Sequence, residues 1–165
     1  MSPSEPIRVL FLCTHNSARS IMAEAVLNHL GKGLYTGYSA GSHPNPNQVP
    51  NPFALQVLQS SGISTQGLRS KSWDEFGQAN APAMDLIITV CDSAAAEKCP
   101  VWPGHPATAH WAYADPSLIA GTDSAKTDGF RSILLGIRRR LDALVNIPEE
   151  KISKLTLQKT IKDLE

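Results

Sequence analysis

A nearly unbroken apolar run, Ile7-Arg8-Val9-Leu10-Phe11-Leu12, stops at Cys13 and gives way to the helical stretch Ile21-Met22-Ala23-Glu24-Ala25-Val26-Leu27. A strand without polar alternation must be buried on both faces, which is the habit of parallel sheets covered by helices. A second run in the same style, Asp85-Leu86-Ile87-Ile88-Thr89-Val90-Cys91, also ends in cysteine. Tyr35 to Ala40 and Ala107 to Trp111 read as shorter strands. Helical spacing is found in Ser17 to Leu30, in the stretch opened by Asn51-Pro52 and stopped by Gly62, and in Ser124 to Val145. Strands alternating with helices imply right-handed β-α-β units. The expectation is an α/β fold, a three-layer α/β/α arrangement with a central four-stranded parallel sheet. A length of 165 residues suits one catalytic domain, placed at residues 1–147. Residues 148–165 are expected to be a C-terminal amphipathic helical extension carrying Ile152, Leu155, Leu157, Ile161 and Leu164.

The turn between the first strand and helix, Cys13-Thr14-His15-Asn16-Ser17-Ala18-Arg19-Ser20, has the parts of an anion cradle. Backbone N–H groups at the helix start converge on one site, and Arg19 adds a planar fork for two more oxygens. These positive surroundings are expected to lower the Cys13 thiol from its free value of about 8.5, which makes Cys13 a nucleophile. Ser17 and Ser20 add hydroxyls, Ser20 within reach of the thiolate. A nucleotide-binding P-loop would need glycines and a Gly-Lys-Ser/Thr ending, and neither is present. Attack by a thiolate on a tetrahedral oxyanion expels an oxygen that needs a proton. Asp115, in Tyr113-Ala114-Asp115-Pro116-Ser117 after the last expected strand, is the candidate acid. In open sheets, ligands lie beyond the carboxyl ends of strands, where Cys13, Cys91 and this segment all fall.

Fifteen basic residues balance fifteen acidic ones, so no overall field draws the chain to nucleic acid or an anionic membrane. The first residues lack a basic leader and the apolar run is short, which leads us to expect a cytoplasmic protein. Three cysteines, Cys13, Cys91 and Cys99, are too few and odd in number for a disulfide scaffold, and point to reactivity. A zinc site built from Cys91, Cys99, His105 and His110 has the right residue types but a cysteine spacing wider than structural zinc sites use. His15, His29 and His43 read as loop or surface residues rather than bases.

Through Cys13 to Ser20 and the late Asp115-Pro116, residues 7 to 146 resemble the low-molecular-weight tyrosine phosphatase fold. Within it, Thr89-Val90-Cys91-Asp92 and Lys98-Cys99-Pro100 make the chain most similar to the arsenate reductases. Phosphatases typically carry aromatic residues after the acid's proline, whereas Ser117 and Leu118 follow Pro116 here. The resemblance implies that Thr14, His15, Asn16, Ser17, Ala18, Arg19 and Ser20 bind arsenate, with phosphate as a competing oxyanion. It implies that Cys13 attacks, Asp115 protonates the departing oxygen, Cys91 attacks Cys13 with release of arsenite, and Cys99 takes over Cys91 as Ser93 to Glu97 rearrange. Thioredoxin, or glutathione with glutaredoxin, would then restore the thiols; the residues do not choose between them. The alternative is a phosphatase working through a Cys13 phospho-enzyme, and a third reading is a noncatalytic oxyanion receptor. The resemblance also implies that Asn16 shapes the loop and that Glu24 and Ser39 form a network beneath it. Some relatives hold potassium there; Lys71 offers an ammonium in its place, so neither a metal nor a cofactor is expected.

Overall fold

Consecutive side chains along a strand point to opposite faces of the sheet, and in Ile7–Leu12 both sets are apolar apart from Arg8 at the start. Val9 and Phe11 enter the larger core with Met22, Val26, Ile88, Leu134 and Leu141, while Leu10 and Leu12 meet Ala40, Trp73, Phe76 and Ile87 on the other side. Each large apolar side chain so buried contributes roughly 1.5–3 kcal/mol. This strand is therefore central. The computed structural model describes residues 5–91 and 105–165. In it β1 (Ile7–Leu12), β2 (Tyr35–Ala40), β3 (Leu86–Thr89) and β4 (Ala107–His110) form one parallel sheet in the order β2-β1-β3-β4.

The described helices are α1 (Arg19–Leu30), α2 (Pro52–Ser60), α3 (Asp123–Val145) and α4 (Lys154–Asp163). The helix expected from Ser17 starts at Arg19, because the residues before it are spent on the turn out of β1. The Asn51 side chain caps α2, accepting the Phe53 N–H at 2.8 Å, and Pro52 follows at the position where a missing N–H costs nothing. On the larger face, α1 and α3 pack against each other and α1 covers β1 and β2. On the opposite face, Trp73 and Phe76 of the short turn Trp73–Phe76 close the smaller cluster.

Helix α4 lies against β4, with Leu157 and Ile161 buried in the larger core. It serves the free edge of the sheet. Glu165 Oε2 accepts the His110 N–H at 2.8 Å, the Trp111 indole donates to the Ile161 carbonyl at 2.9 Å, and Lys154 Nζ donates to the His105 carbonyl at 3.2 Å. An unpaired edge strand is a template for unwanted pairing, and a covering helix removes it. Among the described residues no helix is long and apolar enough to cross a membrane.

The strand order places the functional end of the molecule. From β1 the chain runs outward to β2, then returns across the sheet to β3 on the other side, so the direction of winding reverses between β1 and β3. A crevice opens beyond the carboxyl ends of two such strands. Cys13 leaves β1 there, and Cys91 follows β3 two residues after its end.

Candidate active site

Residues 13–18 form a tight loop whose shape is set by one left-handed residue, Asn16, at φ 47°. Asparagine tolerates that region because its short amide bonds locally. Here Nδ2 donates to Ser20 Oγ at 2.8 Å and Oδ1 accepts the Lys71 N–H at 2.9 Å, with Asn16 fully buried. Gly41, just past β2, lies flat against the loop; a Cβ there would clash with the Cys13 and Thr14 carbonyls. At the start of α1, Ala18 provides no side-chain cap, so the first amides of the helix are left for a ligand.

Above the loop is a hollow of about 200 Å³. Cys13, His15, Ser17, Ala18 and Arg19 line it from the loop, and Asn45, Asp115 and Ser117 from the opposite wall. None of them is a phenylalanine, tyrosine or tryptophan, and the Leu118 side chain after Pro116 and Ser117 is exposed. Arg19 is aimed by two contacts. Its Nη1 donates to the Tyr113 carbonyl at 3.0 Å, and Nη2 lies 3.6 Å from Asp115 Oδ2. The other oxygen, Asp115 Oδ1, accepts from the Ser117 N–H at 2.9 Å and the Ser117 hydroxyl at 2.6 Å. A larger hollow of about 250 Å³, bordered by Ile7, Met84 and Leu157, is lined by neither a cysteine nor an arginine.

The second cysteine stands beside the first. The Cys91 and Cys13 side chains share a hydrogen bond, and both are buried thiols outside any disulfide. Cys91 Sγ also accepts the Thr14 N–H at 3.3 Å and lies 3.7 Å from Thr14 Oγ1. The consequence differs from what the loop alone suggests. The hydrogen bond to Cys91 and burial push the Cys13 thiol up from its ordinary value, against the downward pull of Arg19 and the Thr14 N–H. Two sulfurs in contact disfavour charge on either, so the neighbour keeps the proton on Cys13 in the resting site.

Glu24, Ser39 and Lys71 meet beneath the loop. Lys71 Nζ donates to the carbonyls of Ser39 and Arg69, each at 2.9 Å, and lies 3.6 Å from Glu24 Oε1, which accepts the Ser39 hydroxyl at 2.5 Å. Burial pushes the Lys71 ammonium down and the Glu24 carboxyl up, and each partner's charge works against that shift. Cys99, with the Ser93 to Glu97 segment, lies outside the described residues. Among the described residues no group of three His, Cys, Asp or Glu side chains gathers to hold a metal ion. His15 sits at the rim with Nδ1 2.9 Å from the His43 carbonyl.

Several residues of the site carried no sequence signal. Asn45 donates to Ser17 Oγ at 2.9 Å and Val49 O at 3.0 Å, fixing the wall of the hollow. Ser70, fully buried, accepts the Asn45 N–H at 2.8 Å and donates to the His15 carbonyl at 2.9 Å, tying that wall to the loop. Only the crowding of proline and asparagine from Gly41 to Pro52 marked this as irregular backbone.

Comparison with known proteins follows the same lines. The family model for low molecular weight phosphotyrosine protein phosphatase matches residues 8–159. The arsenate reductase of Bacillus licheniformis is 37% identical over 134 residues, 81% of this chain and 91% of the relative. That of Bacillus subtilis is 35% identical over 133 residues, again 81% and 91%. Among solved structures, an arsenate reductase from Archaeoglobus fulgidus superposes with a TM-score of 0.62 at 31% identity, covering 83% of this chain and 98% of that one.

Proposed function

The chain belongs to the low molecular weight phosphotyrosine protein phosphatase family, and from that premise we propose that it is an arsenate reductase working through a thiol relay. The observation that carries this reading is the Cys91 sulfur, in hydrogen-bond contact with Cys13 and held by the Thr14 N–H. A phosphatase needs no second thiol at that point.

Arsenate enters the hollow among the loop amides and Arg19, whose contacts with Tyr113 and Asp115 hold its fork in place. Phosphate, of the same shape and charge, competes for this seat. Cys13 gives its proton to an oxygen of the bound arsenate dianion and attacks arsenic as the thiolate. A sulfur–arsenic bond forms, an arsenic–oxygen bond breaks, and Asp115 protonates the oxygen, which leaves as water. Cys91 then attacks Cys13, its proton passing to the oxygen of the departing arsenite. The sulfur–sulfur bond forms as the sulfur–arsenic bond breaks, and that bond's electron pair stays on arsenic, which falls from the pentavalent to the trivalent state. Thr14 holds Cys91 for this attack through its N–H and hydroxyl. Cys99 takes over Cys91, and an external thiol donor, thioredoxin or glutathione with glutaredoxin, restores the three thiols in the cytoplasm. The relay needs no metal or cofactor; Lys71 supplies the cation beneath the loop.

A single turnover without external reductant tests the scheme. Wild type releases one arsenite per chain and Cys91→Ser releases none, while inorganic phosphate still binds both. Mass spectrometry of the spent wild type then finds a Cys91–Cys99 disulfide. Hydrolysis of para-nitrophenyl phosphate by both forms, with no arsenite from either, would make the protein a phosphatase.

A further inference from the structure

The two oxygens of Asp115 are in unlike situations, and Ser117 is the cause. Oδ1 is occupied by two donors from one residue, the Ser117 N–H at 2.9 Å and the Ser117 hydroxyl at 2.6 Å. Oδ2 is the oxygen on the Arg19 side, 3.6 Å from Nη2. Asp115 also caps the turn Pro116–Leu118, so its backbone is set while its carboxyl plane is left to be fixed by hydrogen bonds. Both Asp115 and Ser117 line the hollow that holds Cys13 and Arg19.

We propose that Ser117 is a positioning residue for arsenate reduction: its hydroxyl locks the Asp115 carboxyl so that Oδ2 alone carries and delivers the proton to the departing oxygen. An oxygen already accepting two hydrogen bonds has no room for a proton of its own, so the acid's proton resides on Oδ2. Oδ1 accepts the same two donors whether Asp115 is protonated or ionised. Proton delivery therefore proceeds without rearrangement of the Ser117 contacts, which is the condition under which a placed acid is most effective. With the hydroxyl removed, a single N–H bond remains, and the carboxyl can rotate to exchange its oxygens. Many rotamers then point the acid's proton away from the leaving group. The inference rests on the reading of Asp115 as the acid in the reduction proposed above.

The test is a double-mutant cycle on single-turnover arsenite release, with inorganic phosphate as a competing ligand. Ser117→Ala slows arsenite release about tenfold, part of the 10²–10⁴-fold that a general acid supplies, and leaves the inhibition constant for phosphate unchanged. Ser117→Thr, which keeps the hydroxyl, recovers most of the rate. In the Asp115→Asn background, Ser117→Ala has no further effect, since there is no proton left to direct. An equal loss in both backgrounds, or a wild-type rate in Ser117→Ala, overturns the proposal. Should Ser117→Ala fail to fold, Ser117→Gly, which keeps the N–H bond, is run through the same cycle. Failure of the wild type itself to release arsenite overturns the reductase reading instead, and the two failures are told apart by that one control.

Discussion

At Cys13 two opposing influences meet: the guanidinium of Arg19 and the Thr14 N–H favour the thiolate, while the Cys91 sulfur and burial oppose it more strongly. The hydrogen bond to Cys91 thus keeps the proton on Cys13 in the resting site. Removing that neighbour should lower the Cys13 thiol toward the range a helix start and an arginine would impose. We expect Cys91→Ala to raise the rate of Cys13 alkylation by iodoacetamide at neutral pH by about tenfold or more, since a thiol held lower exposes more thiolate at that pH. Peptide mass spectrometry over a time course measures it. An unchanged rate would show that the second sulfur does not hold the Cys13 thiol up.

The elements around the loop do unequal work, and the segment Arg69-Ser70-Lys71 does the most. It binds the loop through Ser70 Oγ and the Lys71 N–H, and fills the space beneath with an ammonium. Lys71→Met leaves the buried Glu24 carboxylate and two carbonyls without their ammonium partner, a loss of about 3–5 kcal/mol. Potassium should restore part of the melting temperature and lithium less. The pH dependence has a definite sign. Burial raises Glu24 above its ordinary value near 4.5. The folded state then holds that proton more tightly than the unfolded one, so its contribution to stability falls as pH rises past the ordinary value. Without Lys71 to oppose the shift, the Lys71→Met protein should lose stability from pH 5 to 7 more steeply than wild type. This segment also marks the reach of sequence reasoning. The apolar runs of β1 and β3 dictated a buried parallel sheet, and the loop's residue types dictated a tight turn into a helix, because each signal is local. Lys71 was legible only through a resemblance. Ser70, Asn45 and Ser117 were not, since a serine or asparagine in a loop is ordinary and its partners lie up to 55 residues away.

On the scale of the whole molecule, the C-terminal helix and Arg19 are connected through the edge of the sheet. Arg140 on α3 donates to the Leu164 carbonyl at 2.8 Å and stacks on the Tyr113 ring at 4.9 Å, and the Tyr113 carbonyl aims Arg19. Glu165 completes the latch on His110. The His110 N–H, aided by Lys162, holds the Glu165 carboxyl below its ordinary value. A depressed carboxyl stabilises above its unfolded value, and the contribution is lost as pH falls through the folded one. Hydrogen exchange at the His110 amide, corrected for its intrinsic pH dependence, should therefore quicken on acidification through the carboxylate range. It should be fast at neutral pH in Glu165→Ala; protection unchanged by either would separate the helix from the edge. A different kind of consequence follows from Gly41, whose bare backbone presses on the Cys13 and Thr14 carbonyls. The octapeptide is a casting whose mould is made by β2's exit and the Ser70–Lys71 strut, so it is not a portable cassette. Grafted onto another strand–helix junction, residues 13–20 would keep their chemistry and lose their curvature.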